Sequence, residues 1–213
     1  QIRWYLGFLI FFSGLLAFWQ WAVNDMDAYE SVRYATFNVV SIVTTTGFVS
    51  ADYTTWGGFP QMAMFILTFI GGCTGSTAGG IKIFRFEVLF AMAGIHVKRL
   101  LHPHGVFVID FNHRRLSDAV VRSVVGFVIL YFFVFSFLSL GLTLTGVDVV
   151  TALSGATSAL GNVGPGLGDI IGPAGTYKPL PDSAKWVLSL GMLMGRLELL
   201  PVIVLCLPSF WRA

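Results

Sequence analysis

Four stretches of this chain are apolar enough and long enough to cross a bilayer: Trp4 to about Val23, Phe59 to about His96, Ala119 to about Leu144 and Asp182 to about Pro208. About 20 apolar residues span a hydrocarbon core of roughly 30 Å. No water satisfies a backbone N–H or C=O there, so the chain must be helical wherever lipid touches it. Only 11% of the 213 residues are charged, against about 25% in soluble domains. The expected class is an all-α membrane protein with lipid as its surroundings. A formal net charge of +2 gives no support for a nucleic-acid partner. The first run has no small-residue cleavage pattern before its acidic flank, Asn24, Asp25 and Asp27, and reads as a span rather than a signal peptide. Trp19 and Trp21 near its end suit a headgroup aromatic belt.

Two further segments, Asp27 to Ile42 and Val147 to Leu160, are too short to cross. They read as re-entrant pore helices, the first capped by Asp27 or Ser31. Each runs into a glycine-containing extended segment: Val43-Thr44-Thr45-Thr46-Gly47-Phe48 in one case, Gly161-Asn162-Val163-Gly164-Pro165-Gly166 in the other. Glycine permits φ > 0, so neighbouring carbonyls can point the same way. A row of such oxygens can replace the water shell of a cation. The alternative for the first segment is a Thr-rich turn at a helix end. Aligning the two segments places Gly47 opposite Gly164 and brings each span and short helix into register. The chain therefore reads as a repeat of span, re-entrant helix, extended segment and span. The units are 1–96 and 119–213, joined by a basic connection at 97–118.

Phe59 to His96 is too long for one span, since a single helix would measure roughly 55 Å. Its middle is Gly71-Gly72-Cys73-Thr74-Gly75-Ser76-Thr77-Ala78-Gly79-Gly80, with five glycines in ten residues. Non-helical backbone at membrane depth is tolerated where it lines a cavity or is buried in protein. Phe59 to Ile70 and Ile81 to His96 are accordingly expected as half-helices joined by an intramembrane loop. The alternative is a tightly packed helix interface of small residues.

Lys82, Arg85, Lys98, Arg99, Arg114, Arg115 and Arg122 lie between the two units, with Arg3 and Arg212 at the ends. Asp25, Asp27, Glu30, Asp52, Asp148, Asp169 and Asp182 lie on the opposite side, together with Arg33, Lys178 and Lys185. The positive-inside rule makes the termini and the 97–118 loop cytoplasmic, so the short helices enter from outside. Their C-terminal, negative dipole ends then point at the bilayer centre, which suits a cation. Val106 to Ile109 and the Asn112-His113 turn can form a small hairpin in the connection.

A charge well inside the last span is costly, so Arg196 should face a partner or water. The Gly71–Gly80 loop offers acceptors for it, and Lys82 has a similar status. Glu198, two residues on, points to another helix face and is no obvious intrahelical partner for Arg196. Gly75 to Lys82 is not a phosphate loop, because Ile81 separates Gly80 from Lys82 and Ile83 follows. His102-Pro103-His104 lacks a third convergent ligand. Cys73 and Cys206 lie in apolar segments and read as packing residues rather than a disulfide. No catalytic constellation stands out, so an enzyme is not expected. An alternating-access, cation-coupled secondary transporter is the other reading, but it has no need of two matching re-entrant segments.

The stretches TTTGF (44–48), GGCTGSTAGGIKIFR (71–85), SALGNVGPG (158–166) and MGRLELLPV (194–202) together resemble the TrkH/TrkG branch of the Trk/Ktr/HKT potassium transporter superfamily. The resemblance runs nearly end to end, but only to the family's C-terminal half. It implies two of four units around one pore, the third and fourth, hence half of a pseudo-fourfold ion-channel-like pore. It implies potassium as the transported substrate, with no covalently bound cofactor. Thr44, Thr45, Thr46 and Gly47 would form one quarter of a selectivity filter and Gly161, Asn162, Val163 and Gly164 another, with potassium at Thr45, Thr46, Asn162 and Val163. Gly71, Gly72, Cys73, Thr74, Gly75, Ser76, Thr77, Ala78, Gly79 and Gly80, with Lys82 and Arg196, would form the gate. The implied partners are the missing N-terminal half with the first two units, a second full-length subunit in a homodimer, and a cytoplasmic nucleotide-binding regulatory subunit. The implied location is the inner membrane. The abrupt start at a span, and the differences between the two units, lead us to expect a fragment.

Overall fold

The computed structural model describes residues 1–102, 105, 110–111, 114–208 and 210–212. Helix α1 (Ile2–Val23) is followed by α2 (Ala28–Val43), which Asp27 caps by accepting the Tyr29 N–H at 3.0 Å. Ser31, the other capping candidate, is instead buried and donates to the Met26 carbonyl. A 3-10 turn, Tyr53–Trp56, then buries both of its aromatic rings. The Trp56 carbonyl accepts from the Trp19 and Asn24 side chains, which ties this turn to the end of α1.

Helix α3 (Gly58–Thr68) stops well short of a full crossing. Two-residue strands β1 (Ile70–Gly71) and β2 (Ile81–Lys82) pair in parallel, Ile70 with Ile81 and Gly71 with Lys82, and close the mouth of the loop between them. Helix α4 (Ile83–Leu101) leaves at once from β2. The long apolar run is thus broken in its middle, as its glycines require. Because α4 continues to Leu101, the first part of the expected polar connection is helical. Farther on, β3 (Asp110–Phe111) pairs antiparallel with β4 (Arg114–Arg115). Val106–Ile109, Asn112, His113, Pro103 and His104 lie outside the described residues, so the expected hairpin strand does too, and of the His-Pro-His stretch only His102 is described.

Ser117 caps α5 (Asp118–Leu144), and Asp148 caps α6 (Val149–Gly161) by accepting the Thr151 N–H at 3.0 Å. A single helical turn, α7 (Gly168–Ile171), follows the second extended segment. Helix α8 (Asp182–Arg196) ends early, and α9 (Leu200–Cys206) begins after a sharp turn. The expected single last span is therefore broken. Pro201, in the first turn of α9, cannot donate to an upstream carbonyl. Glu198 and Leu199 both take positive φ, 58° and 40°. Cys73, expected to be buried, is half-exposed and free; the Cys206 side chain lies outside the described residues.

Among the described helices, α1 and α5 are long and apolar enough to cross a membrane. Two apolar cores result. One gathers Leu16, Ala35, Val39, Ile42, Met64 and Leu67 from α1, α2 and α3; the other gathers Tyr131, Leu138, Ala156, Leu160, Ala184 and Leu188 from α5, α6 and α8. Each also takes in residues from the opposite half. Val163 is buried in the first and Ile81 in the second, so the second extended segment and β2 stitch the halves together. Helix α6 is buried along nearly its whole length because it is built of Ala, Gly, Ser and Thr, which let its neighbours approach closely.

Candidate functional site

The two extended segments fold alike at the ends of α2 and α6. Thr45 and Asn162 are both left-handed, with φ of 56° and 51°. The Thr45 N–H donates to the Ile42 carbonyl and the Asn162 N–H to that of Ala159. The next residues, Thr46 and Val163, donate to the carbonyls of Ser41 and Ser158 at 2.9 and 3.0 Å. Left-handed backbone is costly for most residues, but an asparagine tolerates it. Thr45 has no such excuse and is held there by the surrounding bonds.

The segments also meet. Gly47 takes φ +80°, and a Cβ on it would run into the Val163 carbonyl oxygen and reach Pro165. Only glycine permits both the angle and the approach. The C-terminal ends of α2 and α6 therefore converge, and with them two sets of partial negative charge. The side chains are largely occupied elsewhere. Thr44 donates its hydroxyl to the Val40 carbonyl at 2.7 Å and lies 2.8 Å from the Thr46 hydroxyl. The Asn162 amide donates to the Met192 carbonyl on α8 at 3.1 Å. An ion placed between these turns would meet mainly backbone carbonyl.

The glycine-rich loop packs against the second segment. A Cβ on Gly79 would collide with the Gly161 carbonyl, so the loop backbone lies directly on the end of α6. Arg196 donates from Nη1 to the Thr77 carbonyl at 2.8 Å, so the side chain does reach the loop. Loop residues Ser76 to Gly80 line a cavity of about 210 Å³ with Lys82, Arg196 and Glu198. Thr44–Gly47, Gly161–Gly164, the loop, Lys82 and Arg196 thus form one contiguous region.

Sequence reasoning missed other members of this region. Glu198 is one: the break after α8 turns it to Lys82 at 2.6 Å and Arg85 at 3.4 Å. Arg85 also lies over the Phe127 ring, 3.6 Å from its centroid. Ser41 donates to the Phe48 carbonyl at 2.6 Å, and Ser158 accepts the Gly164 N–H at 3.0 Å. These serines stand at matching distances before the two segments, a signal that the alignment contained. Tyr177 donates to the Gly164 carbonyl at 2.5 Å; no pattern in the sequence singled it out.

Residues 6–212 match the TrkH family model, described as a cation transport protein. The Trk system potassium uptake protein TrkI of Halomonas elongata is 53% identical over 93% of this chain and 40% of its own length. TrkH of Escherichia coli K12 is 38% identical over 87% of this chain and 38% of its own. The crystal structure of the potassium transporter TrkH from Vibrio parahaemolyticus superposes with a TM-score of 0.90 at 35% identity, covering 98% of this chain and 44% of that one. The chain spans about two-fifths of the length of these relatives. It belongs to the TrkH family of cation transport proteins.

Proposed function

We propose that this chain forms the third and fourth quarters of a potassium-conducting pore in the cell membrane, as part of a longer subunit. Membership of a family of membrane transporters makes it a membrane protein, and its relatives are named as potassium uptake proteins. The observation that carries the reading is the convergence of two like-folded turns, Gly47 against Val163, at the ends of two helices whose negative poles meet. Carbonyls of Thr45, Thr46, Asn162 and Val163 would bind dehydrated potassium. Conduction is inward, down the electrochemical gradient.

In this reading the Gly71–Gly80 loop is the gate beneath the filter. Arg196 holds it closed through Thr77 and places a positive barrier there, with Lys82 beside it. The termini and the 97–118 connection are cytoplasmic in an inner-membrane protein. That basic connection faces a nucleotide-binding regulatory subunit, and full-length subunits pair as a homodimer.

The test is flux through the full-length protein reconstituted in vesicles. Potassium should permeate well in preference to sodium. Equal permeation of the two ions would contradict the filter assignment.

A further inference from the structure

Gly164 closes the second candidate filter segment, and both of its polar backbone atoms are bonded to side chains. Its N–H donates to the Ser158 hydroxyl at 3.0 Å. Its carbonyl oxygen accepts the Tyr177 hydroxyl at 2.5 Å. The first segment is held differently: there the Ser41 hydroxyl reaches past Gly47 to the Phe48 carbonyl. The two turns share a backbone path and differ in what pins their last carbonyl.

Tyr177 is well placed to act as a rigid strut. Its ring is half-buried and packs against the second core. Its backbone carbonyl accepts from Leu180 N–H, and the Thr176 N–H before it is tied to the Ile170 carbonyl of α7. Burial, the larger influence, raises the phenol above its ordinary value against the opposing pull of Ser158, so the hydroxyl keeps its proton and remains a donor. A donor hydroxyl on a carbonyl oxygen also draws electron density from it, which weakens that oxygen as a cation ligand.

We propose that Tyr177 is a positioning residue for ion selectivity: its hydroxyl holds the Gly164 carbonyl out of the ion path and so fixes which oxygens of the second segment meet potassium. This rests on the filter reading above. Gly164 then serves as frame rather than ligand, and the ion-facing oxygens of that segment are those of the residues before it. Without the hydroxyl, the Gly164–Pro165 peptide can tilt about the Gly164 ψ bond within what the proline ring allows, and its oxygen can move toward the ion. A site with a variable ligand number discriminates poorly between potassium and the smaller sodium ion.

The experiment compares Tyr177→Phe, Ser158→Ala and Gly47→Ser with the unaltered full-length protein, measuring potassium and sodium flux into vesicles and thermal stability of the same samples. Loss of one neutral hydrogen bond predicts a fall in potassium-over-sodium preference of about 3- to 10-fold for Tyr177→Phe. The unfolding temperature should change little, because the ring and its packing remain. Ser158→Ala frees the Gly164 N–H, which lies in the preceding peptide with the Val163 carbonyl, and should lower the preference in the same direction. Should Tyr177→Phe not fold, Tyr177→Leu, which also lacks the hydroxyl, gives the decisive reading. An unaltered preference in the folded variants, with Gly47→Ser disrupting it, overturns the role of Tyr177 and leaves the filter reading intact. An unaltered preference in all three overturns both.

Discussion

Three residues show how single positions set the properties of this site. Arg196 ends α8, where a cation is favoured by the helix dipole, and spends a charge-assisted hydrogen bond on the Thr77 carbonyl. Replacing it with Gln removes the positive charge while keeping an amide donor. Potassium flux should rise several-fold, as measured by uptake into vesicles; unchanged rate and affinity would remove the barrier. Asp148 caps α6, and its bonds to Thr151 hold its carboxyl below the ordinary value of 3.8. A depressed carboxylate stabilises the fold above that ordinary value and loses its contribution as pH falls through its lowered one. Asp148→Ala removes the cap of α6 and should cost about 1 kcal/mol at neutral pH. The gap from the unaltered protein, read by thermal melts across pH, should close under strongly acid conditions. Gly47 is the third residue: a side chain there meets the Val163 carbonyl, and φ +80° is strained for it.

Among elements, the broken ones matter most. The interruption between α3 and α4 was legible because five glycines crowd into ten residues, and no helix tolerates that. The break between α8 and α9 was not. Leu197-Glu198-Leu199-Leu200 is a good helix-forming run, and only Pro201 hinted at an ending. What stabilises the break is long-range: Glu198 bridges Lys82 at the loop's exit and Arg85 one turn into α4. Such partners are far apart in sequence and carry no periodic signature. The parallel β1–β2 pair was equally hidden, since two residues on each side give no pattern. Glu198→Gln should release the loop's exit by leaving Lys82 and Arg85 without their counter-charge. Labelling of the Cys73 thiol, half-exposed in the loop, should then quicken several-fold. An unchanged labelling rate would show that Glu198 does not restrain the loop.

At the scale of the molecule, the short capped helices, the Thr-rich and Asn-containing turns and the reach of Arg196 to the loop all followed from charge, length and composition. The side-chain assignments within the turns did not. Asn162 is fastened to α8, and Thr44 to its own helix, so the chemistry left to the centre is mostly backbone. Hydrogen bonds to distant carbonyls such as Met192 or Gly164 depend on how helices pack, which a single sequence does not encode locally. The shared packing of Val163 and Ile81 in the opposite cores makes the two halves one structure. It also makes the central claim testable through one glycine. Growth at low external potassium of cells that depend on the full-length protein, with Gly47→Ser against the unaltered chain, measures it most directly. The account predicts that growth fails while the protein still reaches the membrane in normal amount; growth equal to the unaltered protein would contradict it.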